Sequence, residues 1–206
     1  QFNFCRSYQL LSVAEEQELS FLFAKYQFEL GNFSNVLQYL KDGKFNFKSQ
    51  ESIKLLQAKC LIKLSAYDKA EQVFKTITES LLTSEERADY YLWRAQGFYF
   101  MDYNDEAQQC LDWFQTPIMD FSQTIKFQAI LLESQLCAKQ HAFVQAKQLL
   151  LNTCKHINDS DWIPLFKFQA ADYASECGLD GQLEAIQILQ SIYESFPKYT
   201  LIQEVR

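Results

Sequence analysis

Two histidines, six cysteines and two Glu–Glu pairs are the residues of this 206-residue chain whose types suit chemistry. A zinc site needs three or four His, Cys or carboxylate ligands at short spacings. Cys5, Cys60, Cys110, Cys137, Cys154 and Cys177 form no CxxC, and neither His141 nor His156 stands in a ligand pattern with them. No metal is expected. A catalytic triad assembles in space and leaves no fixed order in the sequence, but neither histidine has a visible partner for general acid–base work. Glu15–Glu16 and Glu85–Glu86 fall in the first turns of expected helices, where a carboxylate is favoured by the macrodipole and by capping. There is no glycine-rich phosphate loop and no G-x-G-x-x-G, so no nucleotide cofactor is implied. The expectation is no catalytic residue and no cofactor: not an enzyme.

Charge narrows the partners. The net charge is −7, which opposes nucleic-acid binding, since that requires Lys and Arg to neutralise phosphates. The excess is uneven: residues 1–103 hold twelve basic and thirteen acidic side chains, residues 104–206 seven and thirteen. No apolar run is long enough to span a bilayer, and no signal peptide is read, although the chain opens at Gln1 rather than Met and an upstream start stays open. The cysteines lie in apolar helical stretches and read as buried, reduced thiols. A reducing, cytoplasmic compartment is expected.

The elements that must position these residues are helices. Five glycines and three prolines in 206 residues are too few for the turns of a sandwich or barrel. Ser12–Val13–Ala14–Glu15 and Thr83–Ser84–Glu85–Glu86 are capping boxes. From the first, a helix runs to about Leu30 with Leu19, Leu22, Phe23 and Tyr26 on one stripe, stopped by Gly31–Asn32. Its partner spans about Ser34 to Leu40, and residues 44–50 are a connector. A second hairpin runs from about Ser52 to Leu64, turns at Ser65–Ala66 and returns from Tyr67 with Val73, Phe74 and Ile77. The third spans about Glu85 to Met101 and returns through Ala107, Leu111 and Phe114. After Pro117 a fourth runs from about Ser122 to Lys139, turns at Gln140–His141 and returns with Ala146. The fifth spans about Ile163 to Cys177, loops through Gly178–Leu179–Asp180–Gly181 and returns with Ala185. Pro164 suits its first turn, and Pro197 closes it. The aromatic excess of the third hairpin (Tyr90, Tyr91, Trp93, Phe98, Tyr99, Phe100) lacks a basic stripe and reads mostly as core.

Small residues recur through these hairpins at one separation. Ala24 and Val36, Ala58 and Ala70, Ala95 and Ala107, and Ser134 and Ala146 each stand twelve apart, and the pairs recur every 34 to 39 residues. Small side chains at a helix crossing let the backbones approach closely. A hairpin with that period cannot bury its apolar face alone, so copies stack into an α-solenoid. The stretch Ala58 to Phe74 resembles the tetratricopeptide repeat: a small residue on helix A, a turn, the aromatic Tyr67, the alanine Ala70 on helix B and Phe74 four positions on. Ala95 to Leu111 and Ser134 to Leu150 repeat the frame, and Leu30–Gly31–Asn32–Phe33 with Val36 and Leu40 is a weaker copy. Ala185 and Pro197 keep the spacing of twelve, with a longer turn. The large residue that the family carries before helix A's small one is Phe23 here, but Gln57, Arg94 and Glu133 elsewhere. The resemblance covers about residues 15–197 and implies one all-α domain, 1–206, a right-handed α-solenoid of about five hairpins at roughly 15–43, 51–80, 85–116, 122–157 and 163–197.

The same resemblance implies a binding role: a non-catalytic scaffold or adaptor that holds a peptide or helix of another protein on the concave face lined by helix A. The residues expected there are Phe21, Lys25, Phe28, Leu55, Lys59, Ile62, Lys63, Gln96, Tyr99, Gln135 and Lys139. Lys25, Lys59, Lys63 and Lys139 then share a surface that would suit an acidic segment, or else simply solvate an exposed face. Some members clamp a carboxyl terminus with helix A asparagines; Leu22, Leu56 and Trp93 stand at those positions, so that clamp is not expected. The alternatives are a self-associating subunit of a large complex, on a faint likeness of residues 19–74 to scaffold subunits of the anaphase-promoting ubiquitin ligase, and a sensor that closes on a peptide or small ligand.

Overall fold

The computed structural model describes residues 12–42, 50–115, 121–158 and 161–196, and no strand occurs among them. The helices are α1 (Val13–Glu29), α2 (Phe33–Asp42), α3 (Gln50–Lys63), α4 (Tyr67–Phe74), α5 (Ser84–Phe100), α6 (Asn104–Asp112), α7 (Gln123–Lys139), α8 (Phe143–Cys154), α9 (Trp162–Ser175) and α10 (Gly178–Ser195). Both capping boxes form: Ser12 with Glu15 opens α1, and Thr83 with Glu86 opens α5. Cys5, Gly43, Pro117 and Pro197 lie outside the described residues.

The chain divides into two compact units, Gln1–Phe121 and Ser122–Arg206. In the first, each helix from α1 to α6 packs on the next, and the leading helices of successive hairpins also touch, α1 with α3 and α3 with α5. In the second, α7 to α10 pack in sequence, and α7 also meets α9. This skip-one contact is what stacked hairpins produce.

Each of the five turns within hairpins turns on one left-handed residue: Gly31, Ser65, Asp102, His141 and Gly178, with φ between 57° and 82°. The first four share a Schellman closure. The amides of Asn32, Ala66, Tyr103 and Ala142 reach back five residues to the carbonyls of Gln27, Leu61, Phe98 and Cys137 at 2.9–3.0 Å. Those same four residues then accept, through their own carbonyls, the amides of Val36, Ala70, Ala107 and Ala146. One residue thus closes the outgoing helix and opens the returning one.

The small pairs are buried, as a close approach of the helices requires. Ala24, Val36, Ala58, Ala70, Ala95, Ala107, Ser134 and Ala146 are all at most 1% exposed. The fifth hairpin departs from this frame. No long turn intervenes: α10 begins at Gly178 itself. Gly181 sits so close to α9 that a Cβ there would lie 2.2 Å from the Ala174 carbonyl oxygen. The close approach has moved to a glycine, and Ala171, Ala174 and Ala185 form the small core around it.

Other expectations shift at the helix ends and faces. α4 stops at Phe74, where Thr76 Oγ1 donates to the Val73 carbonyl at 2.7 Å, and Ile77 is buried from beyond the helix. Phe114 lies in a 3₁₀ turn, Trp113–Gln115, after α6. The largest correction concerns α1. Phe21, Ala24 and Phe28 enter the core with Leu56 and Cys60, while Leu19, Leu22, Phe23 and Tyr26, together with Leu30 just beyond the helix, remain exposed. α1 is apolar on most sides, so periodicity alone did not select the packed face.

Candidate functional site

The leading helices of the first unit meet around a cleft of about 230 Å³, lined by Lys25, Phe28 and Glu29 of α1, Ser52, Leu55, Leu56 and Lys59 of α3, and Glu86 and Asp89 of α5. Phe28, Leu55 and Leu56 form an apolar floor. Lys59 stands at its centre. Its ammonium is 2.6 Å from Asp89 Oδ2 and lies 5.3 Å from the Phe28 ring centroid and 5.2 Å from that of Trp93. Phe28 and Trp93 meet edge to face at 5.8 Å, so the rings and the carboxylate form one cation seat. Lys63 covers Trp93 as well, at 5.1 Å, and Lys25 lies 4.9 Å over the Phe21 ring.

The acidic wall is built by the cap of α5. Glu86 Oε2 accepts from both the amide and the hydroxyl of Thr83 at 3.1 Å. Its Oε1 accepts from Ser52 Oγ of α3 at 2.5 Å. Burial works to raise the Glu86 pKa, but the hydrogen bonds from Ser52 and Thr83, aided by the nearby Lys25, outweigh it and hold the carboxyl below its ordinary value. Glu86 is therefore a fixed anion and an acceptor at neutral pH.

Of the expected groove residues, the structure brings together Lys25, Phe28, Leu55 and Lys59 at the cleft, with Lys63 joined through Trp93. Phe21 and Ile62 are core instead; a Cβ added at Gly97 would meet Ile62 Cδ1 at 2.8 Å. Gln96 and Tyr99 are half-buried on α5. Gln135 and Lys139 are half-buried on α7, in the other unit. The cleft is not the basic groove expected: Glu29, Glu86 and Asp89 stand against Lys25 and Lys59. Ser52, Glu86, Asp89 and the cation-binding role of Trp93 were missed. A signal existed, because Asp89 and Trp93 are four apart and share a face of α5, but only the stacking of α3 on α5 aims that face at Lys59.

The thiols are not part of this site. Cys60, Cys110, Cys137, Cys154 and Cys177 are unpaired. Burial pushes the Cys60 and Cys110 thiols up to about 12, the opposite of a reactive cysteine. No group of three or more metal-ligating side chains occurs among the described residues. Nor is any helix among them long and apolar enough to cross a membrane.

No protein-family model, curated protein or solved structure matches this chain. The arrangement therefore speaks for itself. At about 230 Å³ the cleft is smaller than the roughly 300–1,000 Å³ of small-molecule and cofactor pockets. It offers an apolar floor with charged groups of both signs beside it.

Proposed function

We propose that this protein is a non-catalytic interaction scaffold of tetratricopeptide-like hairpins, holding a peptide or helix of a partner protein across the leading helices α1, α3 and α5. The observation that carries the reading is the cleft at Lys59, where charged, aromatic and aliphatic groups from three successive hairpins converge on one opening. Preorganisation supports it: Lys59 and Glu86 are already held by their neighbours, so little side-chain ordering is needed when a segment docks. The capping duty of Glu86 and its depressed pKa favour a binding role over proton donation. The unpaired thiols support work in a reducing compartment such as the cytoplasm.

Photo-crosslinking tests the assignment. A crosslinking amino acid at Lys63, beside the cleft, should capture a discrete partner from cell extract. One at the exposed Gln109 of α6 should not. Reversing Lys59 to Glu in that crosslinking chain should cut the capture at least tenfold. Equal capture from both positions, or capture untouched by the reversal, removes the cleft as the docking site.

A further inference from the structure

We propose that residues 4–11 form one more returning helix and lie along the outer stripe of α1. They fall outside the described residues, so the assignment rests on their sequence and on the face that α1 leaves open. It stands apart from the cleft, which draws on other sides of α1.

The returning helices share a pattern of eight residues. It occupies 33–40, 67–74, 104–111, 143–150 and 182–189, on α2, α4, α6, α8 and α10. The fourth residue is alanine or valine and is buried in each copy: Val36, Ala70, Ala107, Ala146 and Ala185. The sixth is glutamine every time, exposed on the far side of the helix, where an unbranched polar side chain costs little. Two apolar residues follow it, buried or half-buried in each copy. Phe33, Tyr67 and Phe143 open three of the five copies with an aromatic ring.

Residues 4–11, Phe-Cys-Arg-Ser-Tyr-Gln-Leu-Leu, carry the whole pattern. Phe4 opens it, Ser7 is the small residue, Gln9 the glutamine, and Leu10 and Leu11 the apolar pair. Outside these six segments, no glutamine of the chain has a small residue two places before it and two apolar residues directly after it.

The hairpins that follow show where such a helix sits. Each leading helix there also packs on the returning helix before it. On α3, Leu56 and Cys60 share a core with Val36 and Leu40 of α2. On α5, Tyr90 meets the Phe74 ring of α4 at 5.5 Å, and Arg94 bonds to Glu71. With Ala24 aligned on Ala58, Leu19, Leu22 and Tyr26 of α1 stand where α3 carries Ile53, Leu56 and Cys60. Yet they are 38%, 53% and 59% exposed. α1 thus presents the seat of a preceding returning helix, apolar where the end of a stack facing water needs polar side chains. Residues 4–11 have the pattern of that helix and join α1 through Ser12 alone.

Length sets how much is covered. Eight residues of helix span about 12 Å. Folded back at Ser12, they reach the level of Leu19, and the Phe4 ring, leaning toward its own amino terminus, extends the cover to Leu22.

Thiol labelling with peptide mapping on the full chain tests the placement. Cys5 stands at the second place of the pattern, which is exposed at Ser34, Asp68, Asp105 and Val144, so it should label at the rate of an open thiol. In Ser7→Cys the new thiol takes the buried fourth place and should label at least tenfold more slowly than Cys5. Adding Leu22→Glu, a change on the stripe and outside the core, should raise the rate at position 7 at least tenfold while Cys60 stays slow. Equal rates at positions 5 and 7 overturn the proposal, as does protection at 7 that survives Leu22→Glu. Protection at 7 that grows with protein concentration also overturns it, by placing the segment on a second copy.

Discussion

Lys59 is held by a carboxylate and two ring faces, and its side chain is mostly out of water. Removing it leaves Asp89 beside Phe28 and Trp93 without its counter-charge. Lys59→Ala should cost about 1–2 kcal/mol in urea unfolding. Asp89→Asn should cost less, and the double variant less than the sum, because both lesions remove one interaction. Additive losses would show that the pair is decorative. Glu86 makes the same region sensitive to acid. Its folded pKa lies below the ordinary 4.5, so the unfolded chain takes up the proton first as pH falls. The stabilisation is complete above the unfolded value and is lost as pH drops through the folded one. Thermal midpoints should decline below about pH 4.5, and Glu86→Gln should flatten that decline while lowering the midpoint at neutral pH. These roles were hidden in the sequence for a physical reason. Glu86 reads correctly as a cap partner from local spacing, but its bond to Ser52 and the meeting of Asp89 with Lys59 join residues 34 and 30 apart, and depend on which helices stack.

Glycines separate two kinds of constraint at the level of the helix. Gly31 needs only its backbone angle, since nothing lies within 4 Å of a Cβ added there. Gly31→Ala should cost about 1 kcal/mol through the left-handed conformation alone. Gly181 needs space, because a Cβ would strike the Ala174 carbonyl. Gly181→Ala must push α10 off α9 and should cost about 2–3 kcal/mol, even though alanine is the better helix former. If thermal shifts place the two substitutions level, the close approach of α10 is not essential. Ser65, Asp102 and His141 occupy the same left-handed turn position without being glycine, and His141→Gly should stabilise by a few tenths to about 1 kcal/mol. The hairpins themselves were legible from Ala58 and Ala70 and their counterparts, because a small side chain at a crossing is a local and repeated demand. The packed face of α1 was not: Leu19, Phe21, Leu22 and Phe23 offer nearly equal burial on adjoining sides, and only the neighbouring α2 and α3 break the tie. Arg94 shows the reverse case. It replaces an expected large apolar residue, yet it packs by making a two-pronged bond to Glu71 at 2.7 and 2.9 Å. Glu71→Ala, which leaves that guanidinium only the Tyr90 hydroxyl and the Tyr90 and Phe98 rings, should cost about 3 kcal/mol.

For the molecule as a whole, the division at Phe121 and Ser122 gives each unit a core of its own. Phe74, Leu55 and Tyr90 belong to the first, and Leu150, Phe166 and Tyr173 to the second. A fragment of residues 1–121 should retain the helical signal of α1 to α6, together with slow labelling of Cys60 and Cys110, whose thiols burial makes unreactive. Fast labelling of both would mean that the first unit does not fold by itself. The shared turn residue carries a consequence for how such a chain can vary. Asn32, Ala66, Tyr103 and Ala142 each serve two helices, so an insertion or deletion there would unseat both, and the small pairs of the first four hairpins keep their separation of twelve. Repeat length nevertheless drifts between 34 and 39 residues, and that drift falls outside those twelve-residue spans, in the helix ends and the links from one hairpin to the next. The hairpins behave as cassettes of constant gauge on a cord of adjustable length, and exchanging them whole, cut within those links, is the rearrangement this architecture would survive.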